Sequence, residues 1–129
     1  MDPNQKIQFL ENEIKELKQL QKEMEFRQDL IFFNTAINRI LYEYKITKEQ
    51  YDKIMDLMDL YREKIGNKQK VSHETFEQQV YNIVTQHDGN YHLVEFLTMA
   101  FKEENRWGEV FDALYGDLPK FKNNLEEKS

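Results

Sequence analysis

The chain has no cysteine, only four glycines and two prolines, and no purely apolar run longer than Leu30-Ile31-Phe32-Phe33. Without cysteine there is no disulfide framework, no thiolate zinc site and no thiol nucleophile, a composition suited to a reducing compartment. A bilayer-spanning helix needs about 20 consecutive apolar residues, so the longest run falls far short. The opening Met1-Asp2-Pro3-Asn4 is polar and acidic, the reverse of the basic start and apolar core of a secretory signal. These absences set the expectation of a soluble, cytoplasmic protein with no membrane partner. Positive charge is also in deficit: 18 Lys+Arg stand against 24 Asp+Glu, a formal net charge of -6. Such a chain lacks the field that supplies most non-specific nucleic-acid affinity. What is present is apolar and aromatic: 129 residues, 40% hydrophobic and 13% aromatic, fit one domain with a real core rather than a disordered segment.

Between Pro3 and Gly66 there is neither glycine nor proline, and Leu, Glu, Lys, Gln, Ile and Met dominate. Good helix formers without breakers predict long helices through the first half. Ile7, Leu10, Ile14 and Leu17 follow a 3-4-3 spacing. With Ile7 at heptad position a, the seam reads Ile-Leu-Ile-Leu, then Gln21 at a and Met24 at d. Lys6 and Glu13 fall at g, and Glu11 and Lys18 at e. A parallel pair can join Lys6 to Glu11 and Glu13 to Lys18, with opposite signs both times, and Ile at a with Leu at d favours two strands. This seam covers fewer than the three or four heptads of a sustained coiled coil. The competing reading is an amphipathic helix packed on its own domain.

A second helix is expected from about Asp29 to Tyr44, carrying Leu30, Phe33, Ile37, Ile40, Leu41 and Tyr44 on one face. Thr47-Lys48-Glu49-Gln50 is a capping box that opens a third, with Ile46 placed to staple against Tyr51, and Gly66-Asn67 closes it. Ser72 opens a fourth, predicted to run to Asp88-Gly89 with Phe76, Val80, Ile83, Val84 and His87 aligned. Asn90 opens a fifth, with Leu93, Phe96, Leu97, Ala100 and Phe101 as its stripe. A short sixth helix carries Trp107, Val110, Phe111, Leu114 and Tyr115 up to Gly116, and Pro119 opposes continuation. No stretch alternates with the two-residue period of a strand. The expected fold is all-α, a five- or six-helix bundle with a long heptad-bearing amino-terminal helix. The expected organisation is a coiled-coil-like helix over 1–28, a helical domain over 29–121 and a flexible tail over 122–129.

Asn90-Tyr91-His92-Leu93-Val94-Glu95-Phe96-Leu97, Ala100-Phe101, Glu103-Glu104-Asn105-Arg106-Trp107, Glu109-Val110-Phe111 and Leu114-Tyr115-Gly116-Asp117-Leu118-Pro119-Lys120 form a continuous signature. Together with the Leu/Ile-rich amino-terminal helix and the Ile46-Thr47-Lys48-Glu49 helix start, it resembles the YhaI-like proteins, small helical proteins of Bacillus-type bacteria. The resemblance implies an all-helical domain that self-associates. It supplies no catalytic residue, substrate or cofactor.

Three chemical readings compete with an interaction module. His73, His87, Asp88, His92 and Glu95 are metal-ligand types within one stretch. However, at ~100° per residue Glu95 points away from the Leu93-Leu97-Ala100 stripe, and His73 and His87 are about four helical turns apart. No metal site and no cofactor are expected. Glu74-Thr75-Phe76-Glu77 and Glu109-Val110-Phe111-Asp112 loosely echo the acidic pairs of magnesium-dependent, all-α nucleotide pyrophosphohydrolases, which need inward-facing acids. Glu74, Glu109 and Asp112 all fall opposite their apolar stripes. Arg62, Lys64, Lys68 and Lys70 make a local basic cluster that a weak DNA-binding regulator would need. The helix opened by Thr47 carries Asp52, Asp56 and Asp59, the wrong sign for phosphate. Ser72 and Ser129 are the only serines, and no Gly-rich phosphate loop occurs.

The expected function is therefore a non-enzymatic, self-associating interaction or regulatory module. Its partner is a second copy, engaged through Ile7, Leu10, Ile14 and Leu17. Trp107, Phe111 and Tyr115, with Phe121 as an extension, are the candidate surface for another protein, since Trp and Tyr concentrate at interface centres. The favoured reading of the two places these aromatics in the core, since a short helix closing over the bundle must bury something.

Overall fold

The computed structural model describes residues 2–118 and contains six α-helices and no strand among them. The all-α expectation is met. Pro119, Phe121 and the 122–129 tail fall outside the described residues.

Helix α1 runs Pro3–Phe32, 30 residues or roughly 45 Å of helix. Asp2 caps it: its side chain accepts from the Gln5 amide at 2.8 Å, while the Gln5 side chain accepts from the Asp2 amide at 3.0 Å. With Pro3 at the first helical position, the start is tightly specified. The expected boundary at Asp29 is corrected. The chain breaks at residues 33–35, and α2 spans only Ala36–Glu43. Its N-cap is Thr35, whose hydroxyl accepts from the Asn38 amide at 3.2 Å, and the Asn38 side chain satisfies the Phe33 carbonyl at 2.6 Å. A single apolar stripe crossing residues 30–44 concealed this turn, because Asn34 and Thr35 are its only local signals.

Helix α3, Lys48–Gly66, starts with the expected capping box, both of its hydrogen bonds measuring 3.1 Å. Helix α4 spans His73–Ile83, capped by Ser72. It stops short of the expected Asp88: Val84 leaves helical geometry and Thr85–His87 form a single tighter turn. The physical reason is a partner for the freed carbonyl. Gln50 Nε2 donates to the Ile83 carbonyl at 3.2 Å and pairs with the Gln86 side chain at 2.9 Å. One amide thus caps the start of α3 and the end of α4. His87, at the end of the turn, lies edge-on against Tyr44, and its Nε2 meets the Tyr44 carbonyl. Gly89 supplies the left-handed φ of 82° that redirects the chain into α5.

Helix α5, Tyr91–Glu103, lies centrally and packs against α2, α4 and α6, while α3 covers α4 and α6. Helix α6 is Gly108–Tyr115. Being covered on several sides, α5 does not obey a single-stripe pattern. Val94, Glu95 and Thr98 are buried alongside Leu93, Leu97 and Phe101, whereas Phe96, expected in the stripe, is exposed. Thr98 is satisfied internally, its hydroxyl donating to the Val94 and Glu95 carbonyls at 3.0 Å.

Candidate functional site

Two regions carry the residues that sequence reasoning singled out. The first is the free face of α1. Every residue from 2 to 22 is exposed, and Ile7, Leu10, Ile14 and Leu17 lie between 52% and 63% exposed. None of these four is folded back onto the body. The attachment comes later along the helix. Leu30 is 6% exposed, Phe26 packs on the core with its ring 6.1 Å from that of Tyr51, and Arg27 donates to the Tyr42 carbonyl at 3.0 Å. The Glu23 carboxylate accepts from the Lys48 amide at 3.3 Å, close to the start of α3.

The attachment uses the back of the rod. At ~100° per residue, Phe26 and Leu30 lie roughly 150° around the helix from the seam. Met24 therefore remains 60% exposed and Ile31 62% exposed although both sit level with the body. Ile31 is the d position seven residues after Met24, and Gln28 is the intervening a position, also exposed. The seam read from the sequence as ending near Met24 thus runs unobstructed from Ile7 to Ile31.

The second region is the candidate aromatic surface, and here a correction is needed. Trp107, Phe111 and Tyr115 are buried and belong to the core. Trp107 adopts a left-handed φ of 53° just before α6, an uncommon conformation for a bulky residue. Its surroundings hold it there: the indole Nε1 donates to Asp59 Oδ1 at 2.8 Å, and Arg106 and Arg62 lie 4.6 and 5.6 Å from the ring centroid. Arg106 also donates to the Tyr51 hydroxyl at 3.2 Å. The indole thus clamps α6 onto α3 and presents no free face to a partner.

Through Glu77, Tyr115 reaches a cleft that sequence reasoning did not assemble, its surface mostly apolar with a few acidic and imidazole groups. This open cleft of about 670 Å³ is lined by His73, Glu77 and Tyr81 from α4, by Gly89, Tyr91 and Glu95, and by Leu118. The Tyr115 hydroxyl donates to Glu77 Oε1 at 3.0 Å. His73 Nδ1 lies 3.7 Å from the same carboxylate oxygen, and its Nε2 lies 3.1 Å from Glu74. Glu95, expected to face solvent, is 7% exposed. Burial, followed by the nearby Glu77 charge and hydrogen bond, holds the Tyr115 phenol well above the ordinary tyrosine range. Tyr81 is shifted the same way by burial and by Glu77, Asp88 and Glu95. The available signal was a pair of four-residue steps, His73-Glu77-Tyr81 and Tyr91-Glu95, running beside the apolar stripes.

Chemically, the cleft is a hydrogen-bonded acid–phenol pair whose Glu77 carboxylate is already engaged. Among the described residues no three His, Asp or Glu side chains converge to hold a metal ion. The other acids of the hydrolase reading are spread over the surface: Glu74 is largely exposed, Glu109 pairs with Arg62, and Asp112 pairs with Lys102 at 2.6 Å. Of the basic cluster, Arg62 is taken by Glu109 and Lys64 stacks over the Tyr61 ring at 5.1 Å. Among the described residues no helix is long and apolar enough to cross a membrane. Comparison with protein-family models, curated proteins and solved structures found no match.

Proposed function

We propose that this protein is a non-enzymatic, self-associating interaction or regulatory module of the cytoplasm. The α1 seam pairs with a second copy, and the bodies are displayed to further partners. The observation that supports this reading is the bare first half of α1, where an ordered apolar row faces solvent. Most helix stability in proteins comes from burying an apolar face rather than from propensity. The Asp2 cap contributes about 1 kcal/mol, whereas each seam Ile or Leu gains about 1.5–3 kcal/mol on full burial. Such a face is stable when covered, and a copy carrying the same row is its natural cover. The resemblance to YhaI-like proteins points the same way. Opposing nucleic-acid binding are the net acidity and the engagement of Arg62 and Lys64.

Sedimentation equilibrium tests the proposal. The 15.8 kDa chain is expected at twice its mass or more at micromolar concentration, and Ile14→Asp is expected at single mass with the body intact. A wild-type chain of single mass removes the reading. The hydrolase alternative retains one favourable observation, the inward placement of Glu77. Nucleotide turnover with magnesium that disappears in Glu77→Gln would establish it in place of the first reading.

A further inference from the structure

Resting on the proposed self-association, we infer that the α1 seam extends through Ile31 as a parallel, in-register, two-stranded coil that sets both bodies side by side at its carboxyl-terminal end. Three observations carry this. First, the body docks on the back of α1 through Phe26 and Leu30. The a and d positions from Ile7 through Met24 to Ile31 therefore remain open along the whole rod. That length reaches the three to four heptads of a sustained coiled coil.

Second, the flanking charges discriminate orientation. In parallel register, Lys6 at g meets Glu11 at e of the second copy, and Glu13 meets Lys18, both attractive. Leu20 then meets Glu25, and Arg27 meets Phe32, with no like-charge pair. In the fully overlapped antiparallel register, a faces d, e faces e and g faces g. Lys18 then meets its own counterpart and Glu11 meets Glu25, both repulsive. Only Glu13 with Arg27 attracts, and Arg27 is already committed to the Tyr42 carbonyl and ring. Exposed ion pairs are individually weak, so they choose the orientation and leave affinity to the seam.

Third, Gln21 and Gln28 occupy consecutive a positions. In parallel register each amide faces its own counterpart and the two can share hydrogen bonds. In antiparallel register Gln21 faces Leu17 and Gln28 faces Leu10, so neither amide finds a polar counterpart across the seam and Gln21 keeps only its long 3.5 Å bond to Glu25. Polar a residues fix register in this way.

The native lack of cysteine makes the test direct. Met24→Cys alone, under a mild glutathione redox buffer, is expected to convert most of the chain to a disulfide-linked dimer. An equimolar mixture of Ile14→Cys and Met24→Cys, denatured and refolded together, is expected to yield the two homodimers without the mixed species. Predominant mixed dimers mean antiparallel strands and overturn this inference, while self-association stands. Absence of any cross-link in a chain that sediments as a dimer places the contact elsewhere and also overturns it. A wild-type chain of single mass removes the underlying reading itself.

Discussion

The two halves of this molecule solve the helix problem in opposite ways. In the body, residues 36–116, side chains from other elements reinforce the local caps at several helix ends. Gln50 bridges α3 and the end of α4, Glu104 accepts from the Ile37 amide at the start of α2, and Trp107 reaches Asp59. In residues 3–22 the side-chain hydrogen bonds are local to the helix, the Asp2–Gln5 box and Gln21 to Glu25, and the apolar residues stay in water. The body buries its apolar residues within one chain, whereas the rod leaves its apolar row uncovered. If the proposed pairing holds, stability resides in one half and association in the other, so the two properties should respond to different substitutions.

That separation can be broken or sharpened by mutation. The largest effect is expected for Phe101→Ala, fully buried in the last turn of α5, which should cost about 3–5 kcal/mol in denaturant unfolding. It should leave cross-linking of the rod unchanged wherever the body remains folded. Next comes Ile14→Asp, expected to weaken dimerisation at least ~100-fold, about 2.7 kcal/mol, by sedimentation, with no shift in the melting of the body. If Ile14→Asp also unfolds the body, the two halves are not separable.

A third test concerns alkaline pH. The Tyr115 phenol titrates above its ordinary value of 10.0 in the folded protein. Once the pH passes that value, the unfolded chain has lost the proton and the folded one has not. Unfolding then releases a proton and is favoured as pH rises. Stability should be flat below pH ~9 and fall above pH ~10, and Tyr115→Phe should shrink that fall while costing about 1–2 kcal/mol at pH 7 through loss of the Glu77 bond. Thermal melts across pH 7–11 decide it. Gln50→Ala should cost about 1–2 kcal/mol by loosening two helix ends. The smallest change is expected for Gln21→Leu, a modest gain in dimer melting temperature with poorer discrimination of strand orientation.

The caps and stops were legible because each is a local event. Thr47-Gln50, Ser72 and Asn90 all cap the helices their sequence announces, and Gly66-Asn67 ends α3. What escaped was decided by distant residues. The end of α4 depends on Gln50, 33 positions away from its Ile83 partner. Glu95 and Phe96 exchanged expected roles because α5 is covered by α2, α4 and α6, so that its buried arc is wider than one stripe. The cleft at Glu77 joins α4, α5 and the end of α6, which periodicity within one helix does not register. The rod shows the opposite case. Its heptads were visible, but only the docking of Phe26 and Leu30 showed how far the seam continues.

The junction at Phe26, Arg27 and Leu30 makes α1 a drive shaft, since no glycine or proline interrupts it after Pro3 and nothing between its tip and its mount acts as a joint. The heading of the body is dictated by the azimuth of the rod. Inserting one residue between Glu16 and Lys22 would swing the tip by about 100° against the mount, without altering the chemistry of either.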